Sequence, residues 1–139
     1  MTKRDFKPKI TVFCCEHSGL LSADMAIESG FVYPERVRVI KVPCSGKIEI
    51  IHIMRALEEG DGVVIYACHK EACQFLRGNL RAEARLAYIK NILKEIGIEE
   101  ERVQMHYLAP SNGAKFTQTL STFYEDLKSL GLNTGRAEE

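Results

Sequence analysis

Ile10-Thr-Val-Phe-Cys-Cys15 and Val63-Val-Ile-Tyr-Ala67 are short runs that are apolar at nearly every position. A strand needs that pattern, rather than alternation, when both of its faces are covered. Two more strands are read at Arg36-Val-Arg-Val-Ile-Lys-Val42 and Val103-Gln-Met-His-Tyr-Leu108. These interleave polar residues, Arg38 and Lys41 in one and Gln104 and His106 in the other, as rim strands do. Helical segments separate the strands. The first runs from about Leu20 to Ser29 and the second, after Pro43, from about Lys47 to Glu59. The third reaches Ile96, with Leu86, Ile89, Leu93 and Ile96 at spacings of three and four and Gly97 as its stop. The fourth carries Phe116, Leu120, Phe123, Leu127 and Leu130. Strands separated by helices imply βαβ crossovers and an α/β fold with a parallel sheet. With the continuous runs central and the interleaved ones outermost, the four-stranded sheet takes the flavodoxin-like order 2-1-3-4. Right-handed crossovers then put helices on both faces, with the topological switch point between strands one and three.

A chain of 139 residues is one domain. It is read as residues 8–130, with 1–7 a flexible lead-in and 131–139 a flexible tail. Hydrophobic residues at 45% and charged residues at 27% are near globular averages and exclude disordered and fibrous classes. Lys+Arg and Asp+Glu both number 19, and this balance speaks against nucleic-acid binding. No apolar run approaches the roughly 18 residues of a membrane span. The charged start, Met1 to Lys7, has no apolar stretch behind it, so no signal peptide is read and a cytoplasmic location is expected.

The five cysteines carry the chemistry. Cys14 and Cys15 close the first strand, Cys44 follows the second, and Cys68 and Cys73 follow the third. In a parallel sheet these strand ends share one edge, with neighbouring strands about 4.8 Å apart, and open α/β sheets bind ligands at that edge. Successive strand residues face opposite sides, so Cys14 is read as buried beneath a helix and Cys15 as the one that reaches the edge. The candidate ligands are Cys15, Cys44, Cys68 and Cys73, and the sequence leaves open whether Cys14 takes the place of Cys15. Four thiolates at one locus fit zinc or an iron–sulfur cluster. No C-x2-C zinc knuckle exists, whereas Cys68 to Cys73 is a C-x4-C, a gap found in plant-type 2Fe-2S spacing. Neither phosphate-loop nor dinucleotide-binding glycine motifs occur. Gly46 and Gly78 permit close approach of backbone amides to the sulfurs. Arg77, Arg81 and Arg85 form an i, i+4 stripe, read either as a solvated helix face or as cations that stabilise a reduced cluster or a docked partner. His17 and His69 are read as loop residues, a Rieske-type pair being the lesser alternative, and His52 and His106 as surface or boundary residues. The competing readings are a thiol redox enzyme or sensor, with Cys68 or Cys73 activated by Arg77 and a helix N-terminus, and a cluster-free structural adaptor.

Several motifs, taken together, resemble a known family. They are Pro8-Lys-Ile-Thr-Val-Phe-Cys-Cys15, Val42-Pro-Cys-Ser-Gly46, Asp61-Gly-Val-Val with Ala67-Cys-His69 and Cys73, and Arg77-Gly-Asn79. Over about Lys7 to Leu130 the chain is similar to the iron–sulfur delta subunit of methyl-viologen-reducing hydrogenase, which is associated with heterodisulfide reductase. The resemblance implies a 2Fe-2S cluster on Cys15, Cys44, Cys68 and Cys73. It also implies electron relay between a hydrogenase- or dehydrogenase-type partner and an FAD-bearing heterodisulfide-reductase-like subunit. Relatives of this subunit occur in electron-bifurcating complexes. One position departs from the family pattern: its first loop reads Cys-Asn-Trp-Cys, and here Cys15-Glu-His-Ser18 places serine at the second cysteine.

Overall fold

The computed structural model describes residues 6–16, 19–34, 36–43, 48–68, 78–108, 112–131 and 133, and of Gly19, Leu21, Cys68 and residues 78–80 the backbone. The chain runs β1 (Ile10–Cys15), α1 (Gly19–Glu28), β2 (Val37–Val42), α2 (Ile50–Glu59), β3 (Gly62–Cys68), α3 (Gly78–Glu95), β4 (Val103–Leu108) and α4 (Gly113–Leu130), with a short 3-10 turn, Glu100–Arg102, ahead of β4. All three strand pairings are parallel and the order is β2-β1-β3-β4, as the apolar patterning predicts. Every residue of β1 is buried, whereas β2 is half-buried with Arg38 and Lys41 exposed.

Side-chain alternation along the strands builds two cores. Ile10, Val12, Cys14, Val64 and Tyr66 pack beneath α1 and α4 with Phe116, Leu120, Phe123 and Leu127. Phe13, Val63 and Ile65 face the other way, against Ile53 and Leu57 of α2 and Leu86, Ile89 and Leu93 of α3. Each fully buried large apolar side chain contributes roughly 1.5–3 kcal/mol before ordering costs, so the four-residue stripe of α4 is a principal anchor. Ile96 departs from the expected helical stripe and is exposed. α3 ends at Glu95, and the left-handed Gly97 (φ 81°) turns the chain so that Ile98 N donates to Leu93 O at 2.9 Å. Ile96 thus lies beyond the last helical position and faces outward.

The amino edge of the sheet is closed by a buried polar clasp. The Asp61 carboxylate accepts from Lys9 N and from Asn133 N, each at 3.0 Å. Arg102, fully buried, donates to Asp61 O at 3.0 Å and Gly131 O at 2.8 Å, and its Nε pairs with Glu99 at 2.7 Å. Arg102 holds the Glu99 carboxyl below the usual carboxylate range, chiefly through that hydrogen bond. The region read as a tail is thus anchored as far as Asn133, and Phe6, in the region read as a lead-in, is buried.

Candidate metal centre

The strands deliver their carboxyl ends to one edge. β1 ends at Cys15 opposite Val42 of β2, and β3 ends at Cys68 opposite Leu108 of β4. Because Cys14 is level with Tyr66, Cys68 stands one residue further along its strand than Cys15 does. The two positions are on adjacent strands, which lie about 4.8 Å apart, and the offset of one residue adds about 3.3 Å along the strand direction. The Cys15 side chain is buried rather than open at the edge, and its Sγ lies 4.0 Å from the Pro43 carbonyl oxygen. Pro43 is the residue before Cys44, so the exit of β2 toward that third cysteine passes the Cys15 sulfur. Cys44, Gly46, Cys73, Arg77, His17, Ser18 and His69 lie outside the described residues.

Cys14 faces the other way, within the core under α1 and α4. Burial, then the charges of Asp24 and Cys15, push its thiol up to about 12. Its side chain packs there as a small hydrophobe. Among the described residues no group of three or more His, Cys, Asp and Glu could hold a metal. Their donor chemistry still suits an iron–sulfur group as far as it goes. Thiols are the donors such clusters take, and Cys15 and Cys68 occupy neighbouring strand ends.

Two contributors near the edge were not visible as such in the sequence. Pro43 reads as a strand terminator, yet its carbonyl meets the Cys15 sulfur. Arg85, one of the helical stripe, donates to Ile48 O at 2.8 Å and so ties α3 to the segment that leads into α2. Arg81, its neighbour in the stripe, is exposed. No sequence signal separates the two, because the difference lies in what α3 happens to face. His52 is exposed and caps α2, its Nδ1 accepting from Glu49 N at 2.9 Å. His106 is half-buried and stacks on Tyr66 with ring centroids 5.8 Å apart. Burial, then the Lys115 charge, lower its pKa. The Tyr107 hydroxyl is held by Glu83 of α3, and burial followed by that carboxylate raises the phenol's pKa.

No helix among the described residues is long and apolar enough to cross a membrane. Comparison with known proteins extends the reading. The sequence is 37% identical over 141 residues to the vhc iron-sulfur subunit of the F420-non-reducing hydrogenase of Methanococcus voltae, covering 97% of this chain and 98% of that one. It is 36% identical over 128 residues to the iron-sulfur subunit of the F420-non-reducing hydrogenase of Archaeoglobus profundus, covering 91% and 93%. It is also 31% identical over 125 residues to a subunit of the Ferredoxin:CoB-CoM heterodisulfide reductase of Methanosarcina mazei, covering 89% of this chain and 16% of that much longer one. The family described as methyl-viologen-reducing hydrogenase, delta subunit, matches residues 10–131. Because that match runs from the first residue of β1 to the residue after α4, it takes in the whole sheet and all four helices, and the chain belongs to the methyl-viologen-reducing hydrogenase delta subunit family.

Proposed function

We propose that the chain is a small subunit of a hydrogenase and heterodisulfide-reductase type of complex, and that Cys15, Cys44, Cys68 and Cys73 hold a 2Fe-2S cluster in it. The observation that carries the reading is the placement of Cys15 and Cys68 on adjacent strand ends, with the β2 exit toward Cys44 against the Cys15 sulfur. The relatives' names, which speak of a hydrogenase iron-sulfur subunit and of a heterodisulfide reductase, support it. When bound, such a cluster accepts and releases one electron at a time.

The chain's own part is to hold the sulfurs on a rigid frame. β1 and β3, buried on both faces, fix two of the four positions against the sheet. Little of the surroundings has to move when charge changes. Arg85 fastens the backbone at Ile48, four residues after Cys44. Cys14 is turned into the core under α1 and α4 and packs there with Tyr66 and Phe116. The role is a relay between larger redox subunits, one of them a flavin-bearing heterodisulfide-reductase-like protein, and not a self-contained catalyst. Gly46 and Arg77 are proposed to adjoin the cluster.

Anaerobic purification with iron and acid-labile sulfide analysis tests the proposal. Iron and sulfide in equal amounts are expected. Zinc without sulfide overturns the cluster assignment. A chain that assembles with companions yet carries neither metal is the cluster-free adaptor that Ser18 leaves open.

A further inference from the structure

β2 is the outermost strand on its side of the sheet. The bonds Ile10 N to Arg36 O and Glu16 N to Val42 O set the ladder phase. In a parallel pair, residues 38, 40 and 42 then turn their backbone groups toward β1, and Val37, Val39 and Lys41 turn theirs outward. Among the described residues, none of these three has a backbone hydrogen-bonding neighbour on that side. Natural edges are blunted by charged side chains, proline, bulges or a covering loop, and of these β2 has the first, in Arg38 and Lys41. β2 has no proline, its register with β1 is continuous over six residues, and its valines and Ile40 are only half-buried.

A groove of about 340 Å³ adjoins this edge on the α2 side. Phe13, Ile40, Val42 and Ala56 give it apolar walls, and Arg38, Arg55 and Glu59 stand among its lining residues. Arg38 pairs with Glu59 at 3.4 Å, both well exposed, while Arg55 has no ion pair among the described residues. The groove therefore carries an uncompensated positive charge beside apolar surface. The opposite edge is unlike it: Lys115 Nζ reaches the Tyr107 carbonyl of β4 at 2.8 Å, and the groove there is lined by Gln104, His106, Gln118 and Thr119.

We infer that the β2 edge and its groove receive an extended segment of a companion protein, added to the sheet as a fifth strand. The segment carries apolar side chains at alternate positions toward the groove and an acidic residue against Arg55. Main-chain bonds to Val37, Val39 and Lys41 give this docking its strength, and the groove gives it its choice of sequence. The inference rests on the subunit reading above and adds where a companion binds and by what chemistry.

The test is amide-resolved hydrogen exchange on the native complex and on the isolated chain. The expected result is that Val37, Val39 and Lys41 exchange at least about tenfold more slowly in the complex, while the amides of residues 38, 40 and 42 are protected in both. Val39→Pro removes an outward N–H that β1 does not use, so the fold tolerates it. That variant and Arg55→Glu should each weaken assembly by roughly tenfold with unchanged iron content of the isolated chain, and Arg55→Glu, which removes none of the core packing that Val39 shares, also with unchanged Tm. A complex that forms with the three outward amides unprotected overturns the inference and leaves the subunit reading standing. Failure of the wild-type chain to assemble with any companion overturns both. Protection that rises with the concentration of the isolated chain assigns the edge to a second copy. Protection that vanishes when residues 134–139 are deleted assigns it to the chain's own tail. Either of these results also overturns the inference.

Discussion

Replacing Asp61 with alanine tests how the sheet is held from the end opposite the cysteines. The Asp61 carboxylate is fully buried and accepts two backbone N–H groups, Lys9 just before β1 and Asn133 beyond α4, each at 3.0 Å. Its backbone N donates to Lys9 O at 2.8 Å, which sets β1 level with β3. Alanine removes the carboxylate acceptor of both N–H groups, the one at Asn133 buried and the one at Lys9 part-buried, at about 1–3 kcal/mol each, or roughly 4 kcal/mol together. For a chain of 139 residues the unfolding entropy near Tm is about 0.29 kcal/mol per degree, so Tm should fall by about 14 °C. Asp61→Asn keeps one acceptor oxygen and should lose about half as much. Differential scanning calorimetry measures both. A fall of less than about 3 °C in the alanine variant refutes the clasp as a source of stability, since it corresponds to under about 1 kcal/mol.

Further outcomes follow from other sites. A Cβ on Gly60 would stand 2.8 Å from the Lys9 carbonyl oxygen, a fixed backbone atom, and one on Gly62 would stand 2.5 Å from Leu127 Cδ1 and 2.8 Å from Phe123 Cζ, both of them buried core side chains. Gly60→Ala and Gly62→Ala should therefore each cost about 1–3 kcal/mol by urea unfolding, and a loss under about 0.5 kcal/mol in either variant contradicts the close approach there. Arg85→Met removes the bond to Ile48 O and should lower stability by about 1.5–3 kcal/mol and speed amide exchange around residues 48–50. Unchanged exchange there would discard the tether. His106 has a folded-state pKa below its unfolded value, so the unfolded chain binds the proton more readily. Its contribution to stability is complete above about pH 6.5 and is lost as pH falls through the lower folded value. NMR titration should place His106 below about 6.5, and His106→Gln should flatten the acid-side slope of the urea midpoint. A titration above that value contradicts the assignment.

The strand order was legible because burial on two faces leaves a different residue pattern from burial on one. Ile10 to Cys15 and Val63 to Ala67 are apolar throughout and central, while Arg38, Lys41, Gln104 and His106 mark the rims. The convergence of Cys15 and Cys68 follows from that order alone. The clasp was not legible. Arg102 follows three glutamates in the sequence, and it is buried because oxygens from Asp61, Glu99 and Gly131 converge on it. Those three positions are far apart in sequence and carry no shared pattern. Asn133 was hidden for the same reason, lying in a polar stretch that reads as a tail until Leu57, Gly60 and Asp61 are seen around it. Ile96 erred in the opposite direction, since helical spacing continues past the point where Gly97 turns the chain.

Electron paramagnetic resonance of the anaerobically purified, dithionite-reduced protein bears most directly on the cysteine edge. The signal of a reduced 2Fe-2S centre should integrate to about one spin per chain. It should persist in Cys14→Ala and be lost or altered in Cys15→Ala and Cys68→Ala. A protein silent after reduction, or one whose signal is unchanged by Cys15→Ala and Cys68→Ala but abolished by Cys14→Ala, contradicts the account.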